Sequence, residues 1–410
     1  MHSPSHQHHP ASTPALHREE VRRLLAPLVA GRQPEQMKLA DALGRGLAAD
    51  VLAPVDLPPF GNSQMDGFAV SSKDIPDGGA LLRVSAAIPA GSAPAPLEPG
   101  TAAPIMTGAM LPDGADAVVP VERAEPDSFP APGADATVRL PATAPGTYVR
   151  PAGSDIRAGQ LALAAGTFLG PGQLGLLAAL GITDVAVHRA LTVLLVTTGD
   201  EVVEPGQELA PGRIYDANAT LLSAAMQQAG LRVLHPGIVR DQPGRLEEIL
   251  LEHRGSVDVI VTSGGVSKGA YEVVRQALAE HPVTFGHVSM QPGGPQGIGT
   301  VHGIPFLGFP GNPVSSLVSF EMFLRPVLSD LLGAPQPRPV VRARLAADLA
   351  SPAGRHQVRR GTLAPDGTVR LEGGEGSHLV HSLALSNALV HVPAGTEALT
   401  AGQEVEVWML

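Results

Sequence analysis

Between about residues 188 and 333 the chain repeats one pattern: a short apolar run, a turn of glycine, hydroxyl or acidic residues, then a helical stretch. The runs are Leu191–Val196, Val257–Val261 and Pro305–Phe309. Helical stretches follow at Ala219–Ala229, after Tyr271 and from Pro313. Asn218 fits the N-cap of the first, and Gly230 its C-terminal stop. Repeated strand–helix units predict an α/β domain with a doubly wound, mostly parallel sheet. Ligands bind such sheets beyond the carboxyl ends of the strands, so the turns are where chemistry is expected.

The flanking regions read differently. Residues 1–15 are a polar, histidine-rich tail without a secretory apolar core. It is expected to be a disordered, solvated segment, with metal binding by its histidines the weaker alternative. Residues 16–30 read as a helix with Leu24, Leu25 and Leu28 on one face, inside a mixed connecting region made of 16–60 and 149–187. Residues 61–148 are rich in proline and glycine with short apolar pieces, a β-rich and loop-heavy module. Pro335–Pro339 reads as a linker. In 340–410, Asp366-Gly367 marks a hairpin turn, and Val405, Val407 and Met409 alternate with polar neighbours as in a half-buried strand. Leu161–Ile182 is uncharged and long enough to span a bilayer. Five glycines, Pro171 and Gln173 interrupt it, so it reads as strand, turn and helix.

The chain has 410 residues, enough for two to four domains, and a net charge of −11. That charge argues against a general nucleic-acid binder, and an anionic ligand would have to be held by local groups. The chain has no cysteine, so disulfides, thiolate metal sites and cysteine nucleophiles are excluded.

Three turns stand out. Thr197-Thr-Gly-Asp-Glu201 offers hydroxyls and two acids suited to magnesium or a ligand amine, or is simply a capped turn. Ser263–Gly269, with adjacent glycines, suits an anion, the alternative being a plain strand-to-helix turn. Phe309–Ser316 places Asn312 at an N-cap and Pro313 at the first helical position. The amides of Val314, Ser315 and Ser316 would then be free at the positive helix end. Arg355, Arg359 and Arg360 could hold an oxyanion, although their spacing alone favours a solvated strand face.

Taken together, these segments resemble the molybdopterin molybdenumtransferases, the molybdenum insertases of the MoeA/gephyrin family. The resemblance rests on Pro58–Val70, Ile105-Met-Thr-Gly108, Gly114–Val119, Thr198-Gly-Asp-Glu201, Ile214–Asn218, Ser263-Gly-Gly-Val-Ser267 and Pro310–Ser315. It implies a multidomain, cytoplasmic homodimer with a molybdopterin-binding α/β domain, a barrel-like C-terminal β domain and the active site at the subunit interface. The implied reaction inserts molybdate into adenylylated molybdopterin and releases AMP, with magnesium. Asp66, Thr107, Asp155, Glu201, Asp241 and Glu272 would be catalytic, with Asp66, Glu201 and Asp241 holding the metal. Ser263, Gly264, Gly265, Ser267, Lys268, Gly311, Asn312 and Ser315 would cradle the pterin and its phosphate, and Arg360 and Ser377 would lie near molybdate. Molybdopterin adenylyltransferase and molybdoenzyme acceptors are the implied protein partners; neither nucleic acid nor membrane is expected.

The chain departs from the family pattern in two places. A Lys-Pro-Gly-Lys-Pro turn carried by many members reads Gln291-Pro-Gly-Gly-Pro295, so both lysines are absent. Lys268 stands where a hydrophobic residue is usual, and Glu272 where an aspartate is usual. Lys268 is expected to supply the missing cation. The alternatives are a molybdopterin-binding scaffold with impaired turnover, or an adenylyltransferase acting one step earlier.

Overall fold

The computed structural model describes residues 12–31, 33–131, 135–240, 242–266 and 273–410. They form two compact units: one of residues up to Ala48, Gly166–Gly170 and Val185–Leu410, the other of Ala49–Ala165 and Pro171–Asp184.

In the first unit, strand Thr192–Thr198 pairs in parallel with Arg232–Leu234 and Ile238–Val239 on one side and with Val259–Ser263 on the other. Ile304–Phe309 continues the parallel run. Pro295–Val301 and Val283–His287 complete an antiparallel edge. The sheet is therefore mostly parallel, as the sequence pattern predicts. Its strands read as unbroken apolar runs because both faces are covered. Val193, Leu195, Val261 and Phe309 face helices Ala217–Gln228 and Arg325–Leu332 on one side. Leu194, Val196, Ile260 and Phe306 face Leu246, Ile249 and Val274 on the other. Each fully buried aliphatic side chain contributes about 1.5–3 kcal/mol. Helix Pro14–Ala30, capped by the Thr13 hydroxyl, buries Val21 and Leu25 in the first of these layers.

One expectation about helix Ala217–Gln228 is corrected. Its N-cap is Asp216, whose carboxylate accepts the Ala219 N–H (2.9 Å), and Asn218 lies inside the first turn. Asp216 wins because its second oxygen also accepts the Thr197 hydroxyl (2.6 Å), which ties the cap to the sheet.

The C-terminal strands close into a five-stranded barrel in the order His356–Leu363, Thr368–Leu371, Val340–Leu345, Glu404–Met409, Ala388–Val392 and back to the first. Closure leaves no free edge, and Leu345, Val369, Val390, Val405 and Val407 fill it. Arg338, in the linker, makes a fork of bonds (3.0 and 2.8 Å) to buried Glu321.

Outside the barrel core, buried His391 stacks on Trp408 with ring centroids 4.3 Å apart, and its Nδ1 lies 3.0 Å from His356 Nε2. Burial, reinforced by His356 and Arg18, pushes its pKa down to about 3. Burial also lowers that of His356, against the pull of Glu406. Unfolding frees His391 to bind a proton near pH 6.5. Its contribution is therefore complete above that value and is lost as pH falls toward 3, at about 1.4 kcal/mol per pH unit. Trp408 is the chain's one tryptophan. Its fluorescence melting midpoint is expected to drop between pH 7 and pH 5, and to drop less in His391→Gln; equal drops would contradict this account.

The second unit is built on a sheet in the order Ala117–Pro120, Gly67–Val70, Thr101–Ile105, Ala80–Val84, Thr137–Leu140. Phe68, Val70, Leu82, Val119 and Leu140 form its core. Leu161–Leu163 and Pro171–Ala179 are a strand and a short helix. Among the described residues no helix is long and apolar enough to cross a membrane.

Candidate functional site

The parallel strands Thr192–Thr198, Val259–Ser263 and Ile304–Phe309 all end at one cavity of about 1030 Å³. The turns that follow them form its floor. Residues 214–218, 290–295 and 375–378, with His287 and Arg355, form much of the rest of its wall. The sheet's twist and parallel order bring these turns together although they lie far apart in sequence.

Gly264 and Gly265 both adopt positive φ (100° and 67°). A Cβ on Gly265 would sit 2.6 Å from Val274 Cγ2, so only glycine fits. Ser263 is buried, and its hydroxyl is committed to the protein: it accepts from Asn218 Nδ2 (2.9 Å) and lies 3.0 Å from Ser316 Oγ. Asn218 Nδ2 also donates to the Gly311 carbonyl (2.6 Å). One amide thus links three separate turns. Its Oδ1 is buried without a partner among the described residues and belongs to a residue lining the cavity.

The helix starting at Pro313 differs from expectation. Asn312 stands at the N-cap position but makes no side-chain cap bond. The Val314 amide donates to the Ser377 carbonyl (3.1 Å) and the Ser316 amide to that of Asn312 (2.9 Å). A carbonyl from the barrel domain takes the Val314 amide and the helix's own first carbonyl takes that of Ser316, so neither amide is free for an anion.

Arg359 and Arg360 are also corrected. They are 9 % and 2 % exposed, so they form no solvated face. The Arg360 guanidinium donates to the carbonyls of Gly376 (3.1 Å) and Gly374, and Arg359 donates to that of Gly373 (3.3 Å). Burial, then the adjacent Arg359 charge, lowers the Arg360 pKa from its ordinary value. Gln291 and Gln357 both donate to Glu375 (3.2 and 3.3 Å). The segment carrying Ser377 is thereby clamped from several directions. Arg360 itself does not line the cavity, whereas Arg355 does and is exposed.

Glu201, Gly311, Asn312, Ser315 and Ser377 line the cavity together with Ser263, Gly264 and Gly265. At Gln291–Pro295 the missing lysine side chain of position 294 has a physical counterpart. A Cβ on Gly294 would fall 2.3 Å from His287 Cε1, so the imidazole occupies that space and lines the cavity. No sequence motif singled out His287. Asp216 and Asn218 lay within a motif, but their roles depend on partners distant in the chain. Asp241, Ser267, Lys268 and Glu272 lie outside the described residues.

In the second unit, Asp66 and Thr107 meet. Asp66 Oδ1 accepts both the Thr107 hydroxyl (2.7 Å) and its N–H (2.6 Å). The hydroxyl bond, then the amide bond, holds the Asp66 pKa below the ordinary carboxylate value, so it remains ionised into mild acid. Asp155 is exposed in the same unit. Among the described residues, neither Asp66 nor Glu201 belongs to a group of three potential metal ligands.

Three family descriptions match consecutive parts of the chain: "MoeA N-terminal region (domain I and II)" at residues 15–181, "Probable molybdopterin binding domain" at 194–330 and "MoeA C-terminal region (domain IV)" at 342–410. A Mycobacterium tuberculosis H37Rv protein named molybdopterin molybdenumtransferase 2 is 41% identical over 406 residues, covering 96% of this chain and 99% of its own. Molybdopterin molybdenumtransferase 1 of the same strain is 36% identical over 425 residues, covering 96% and 98%. The crystal structure of a molybdopterin biosynthesis MoeA protein from Pyrococcus horikoshii superposes with a TM-score of 0.75 at 32% identity, covering 95% of this chain and 98% of that one.

Proposed function

This chain belongs to the MoeA family of molybdopterin molybdenumtransferases, and from that premise we propose that it inserts molybdate into adenylylated molybdopterin and releases AMP. It is a transferase of molybdenum cofactor biosynthesis. The observation that carries the finer reading is the convergence of the 263–265, 310–315 and 375–378 turns on one cavity where Asn218 Oδ1 has no partner among the described residues. A pterin carries ring N–H and amino donors that match such an acceptor.

In this reading the cavity binds the pterin and its phosphate through Asn218, the backbone of Gly264 and Gly265, and Ser315. Ser377 and Arg355 face the oxyanion, and Arg360 positions the segment carrying Ser377. Glu201 would hold magnesium at the cavity. The fit is chemical: its carboxylate is an oxygen donor, and magnesium typically takes one or two carboxylates and completes its shell with substrate phosphate and water. Bound magnesium would offset the negative charge that builds on the phosphoanhydride as AMP leaves. The remaining protein groups exclude bulk water and fix the two anions close together. We further propose a cytoplasmic homodimer whose cleft is completed at the subunit interface.

Asn218→Ala removes two donors and the free acceptor at once. Affinity for adenylylated molybdopterin, measured by calorimetry, is expected to fall at least about 10-fold, in line with the loss of one to two net hydrogen bonds. Unchanged affinity would place the pterin elsewhere.

A binding-only scaffold is the second reading, favoured by Gly294 and its blocking His287 where many relatives carry a lysine. Activation of a molybdenum-free molybdoenzyme separates the readings. With adenylylated molybdopterin, molybdate and magnesium, this chain is expected to restore the acceptor's activity. Tight pterin binding without activation would instead support the scaffold. ATP consumption with free molybdopterin would support an adenylyltransferase.

A further inference from the structure

We propose that Glu247, His281 and His302 form a binding site for one zinc ion, separate from the pterin cavity. His302 Nε2 lies 2.6 Å from Glu247 Oε1, and His281 Nε2 lies 3.4 Å from Glu247 Oε2. The three ligand atoms fall within 4.8 Å of one another. The two imidazoles meet edge to face, with centroids 4.7 Å apart, so both ring nitrogens converge on the one carboxylate. Two neutral imidazoles and a carboxylate suit zinc, which takes three protein ligands and leaves its fourth position to water. Magnesium, which prefers oxygen alone, is a poor match for this donor set. The side chains are 17 %, 19 % and 32 % exposed for His281, His302 and Glu247, so an ion reaches them directly from solvent.

The backbone at His302 carries a second observation. His302 and Gly303 are the two central residues of the hairpin joining Pro295–Val301 to Ile304–Phe309, and both have positive φ (51° and 80°). A two-residue hairpin of this kind favours Asn-Gly, and positive φ is uncommon for residues bearing a Cβ. The chain instead places histidine at the tight position and directs its ring to Glu247 on helix Pro243–Glu252. The site also lies away from the cavity. The hairpin precedes Ile304–Phe309, which is parallel to Val259–Ser263, whereas the cavity follows the ends of both strands. None of the three residues lines that cavity. An ion here would pin a helix, the segment before Val283 and the hairpin at the amino end of the sheet.

The test uses the full chain, stripped of metal, with zinc chloride as the probe. His302→Asn is the informative variant because asparagine suits the turn and removes one ligand. The metal-free variant is expected to melt at the wild-type temperature. Its zinc affinity is expected to fall more than about 100-fold, beyond what loss of an outer-shell partner costs. Glu247→Gln is expected to weaken binding likewise. Replacing the tail histidines His2, His6, His8 and His9 with serine is expected to leave one tight equivalent intact. Cobalt substituted for zinc should give the visible absorption of a tetrahedral ion in wild type and lose it in His302→Asn. Equal zinc binding by wild type and His302→Asn, or loss of the tight equivalent in the tail variant, would overturn the proposal and leave a hydrogen-bonded His–Glu–His cluster.

Discussion

Glu201→Gln is expected to reduce molybdenum transfer by about 10²–10³-fold, the loss typical when one electrostatic group facing a developing charge is removed. Glu201 is exposed at the cavity rim, where its backbone carbonyl accepts the Ile214 amide (2.9 Å). Glutamine keeps its size and leaves that backbone bond in place. The fold should therefore change by no more than about 0.5 kcal/mol, as for other exposed substitutions. The charge has two opposing effects on the substrates. Without magnesium, a carboxylate beside two anions is repulsive, so the variant should bind adenylylated molybdopterin as well as wild type or better. With magnesium, the same carboxylate attracts the cation to the anhydride, so the variant should need more magnesium for half-maximal rate. Weaker pterin binding without magnesium would mean that Glu201 touches the pterin directly; an unchanged rate would remove it from the chemistry.

Arg360→Met is expected to weaken binding of both substrates by about 10–100-fold and to lower the stability of the barrel by about 1.5–3 kcal/mol, the scale of a hydrogen bond to a charged group. Methionine fills much of the same volume but offers no donors. The carbonyls of Gly374 and Gly376 would lose their shared partner. The segment they belong to would loosen, carrying Ser377 and the carbonyl that closes the helix at Val314. Arg360→Lys should rescue little, because an ammonium is a point charge and cannot fork across two carbonyls. The two substrates distinguish the roles. A loss shared by pterin and molybdate fits Arg360 as a positioning residue, whereas a loss confined to molybdate would mean that the guanidinium meets the oxyanion itself.

These two residues also show where the sequence was legible. Glu201 sits in a turn after an apolar strand, and local pattern was enough to place it at the ligand end of the sheet. The strands themselves were readable because burial on both faces leaves an unmistakable apolar run. Arg360 was not readable in this way. Strand alternation would send Arg359 and Arg360 to opposite sides and expose at least one, yet the 373–376 segment covers them both. Asn218 was misassigned for a similar reason. Two side chains, at 216 and 218, could cap the same helix, and the choice was made by Thr197, nineteen residues before Asp216 and out of reach of local pattern. The free amide expected at Val314 was lost to Ser377, which belongs to another domain of the same unit, and that of Ser316 to the Asn312 carbonyl of its own helix. Local rules describe strands and turns well; they fail where a distant segment competes for the same hydrogen bond.

The Asp66–Thr107 contact is the opposite case. The two residues come from motifs 41 positions apart, matched here only through a family resemblance, and the structure brings them to 2.7 Å. His287 had no such signal. It became visible only because the space above Gly294 proved to be occupied. The lost lysines and the imidazole together make turnover, rather than pterin binding, the property to measure.

The most direct measurement is therefore the stoichiometry of AMP release. Wild-type chain should be incubated with adenylylated molybdopterin and magnesium, with and without molybdate, while AMP and molybdenum-loaded pterin are quantified together. The account predicts that AMP and loaded pterin rise in equal amounts and that both depend on molybdate. Pterin bound in the cavity with no molybdate-dependent AMP release would contradict it.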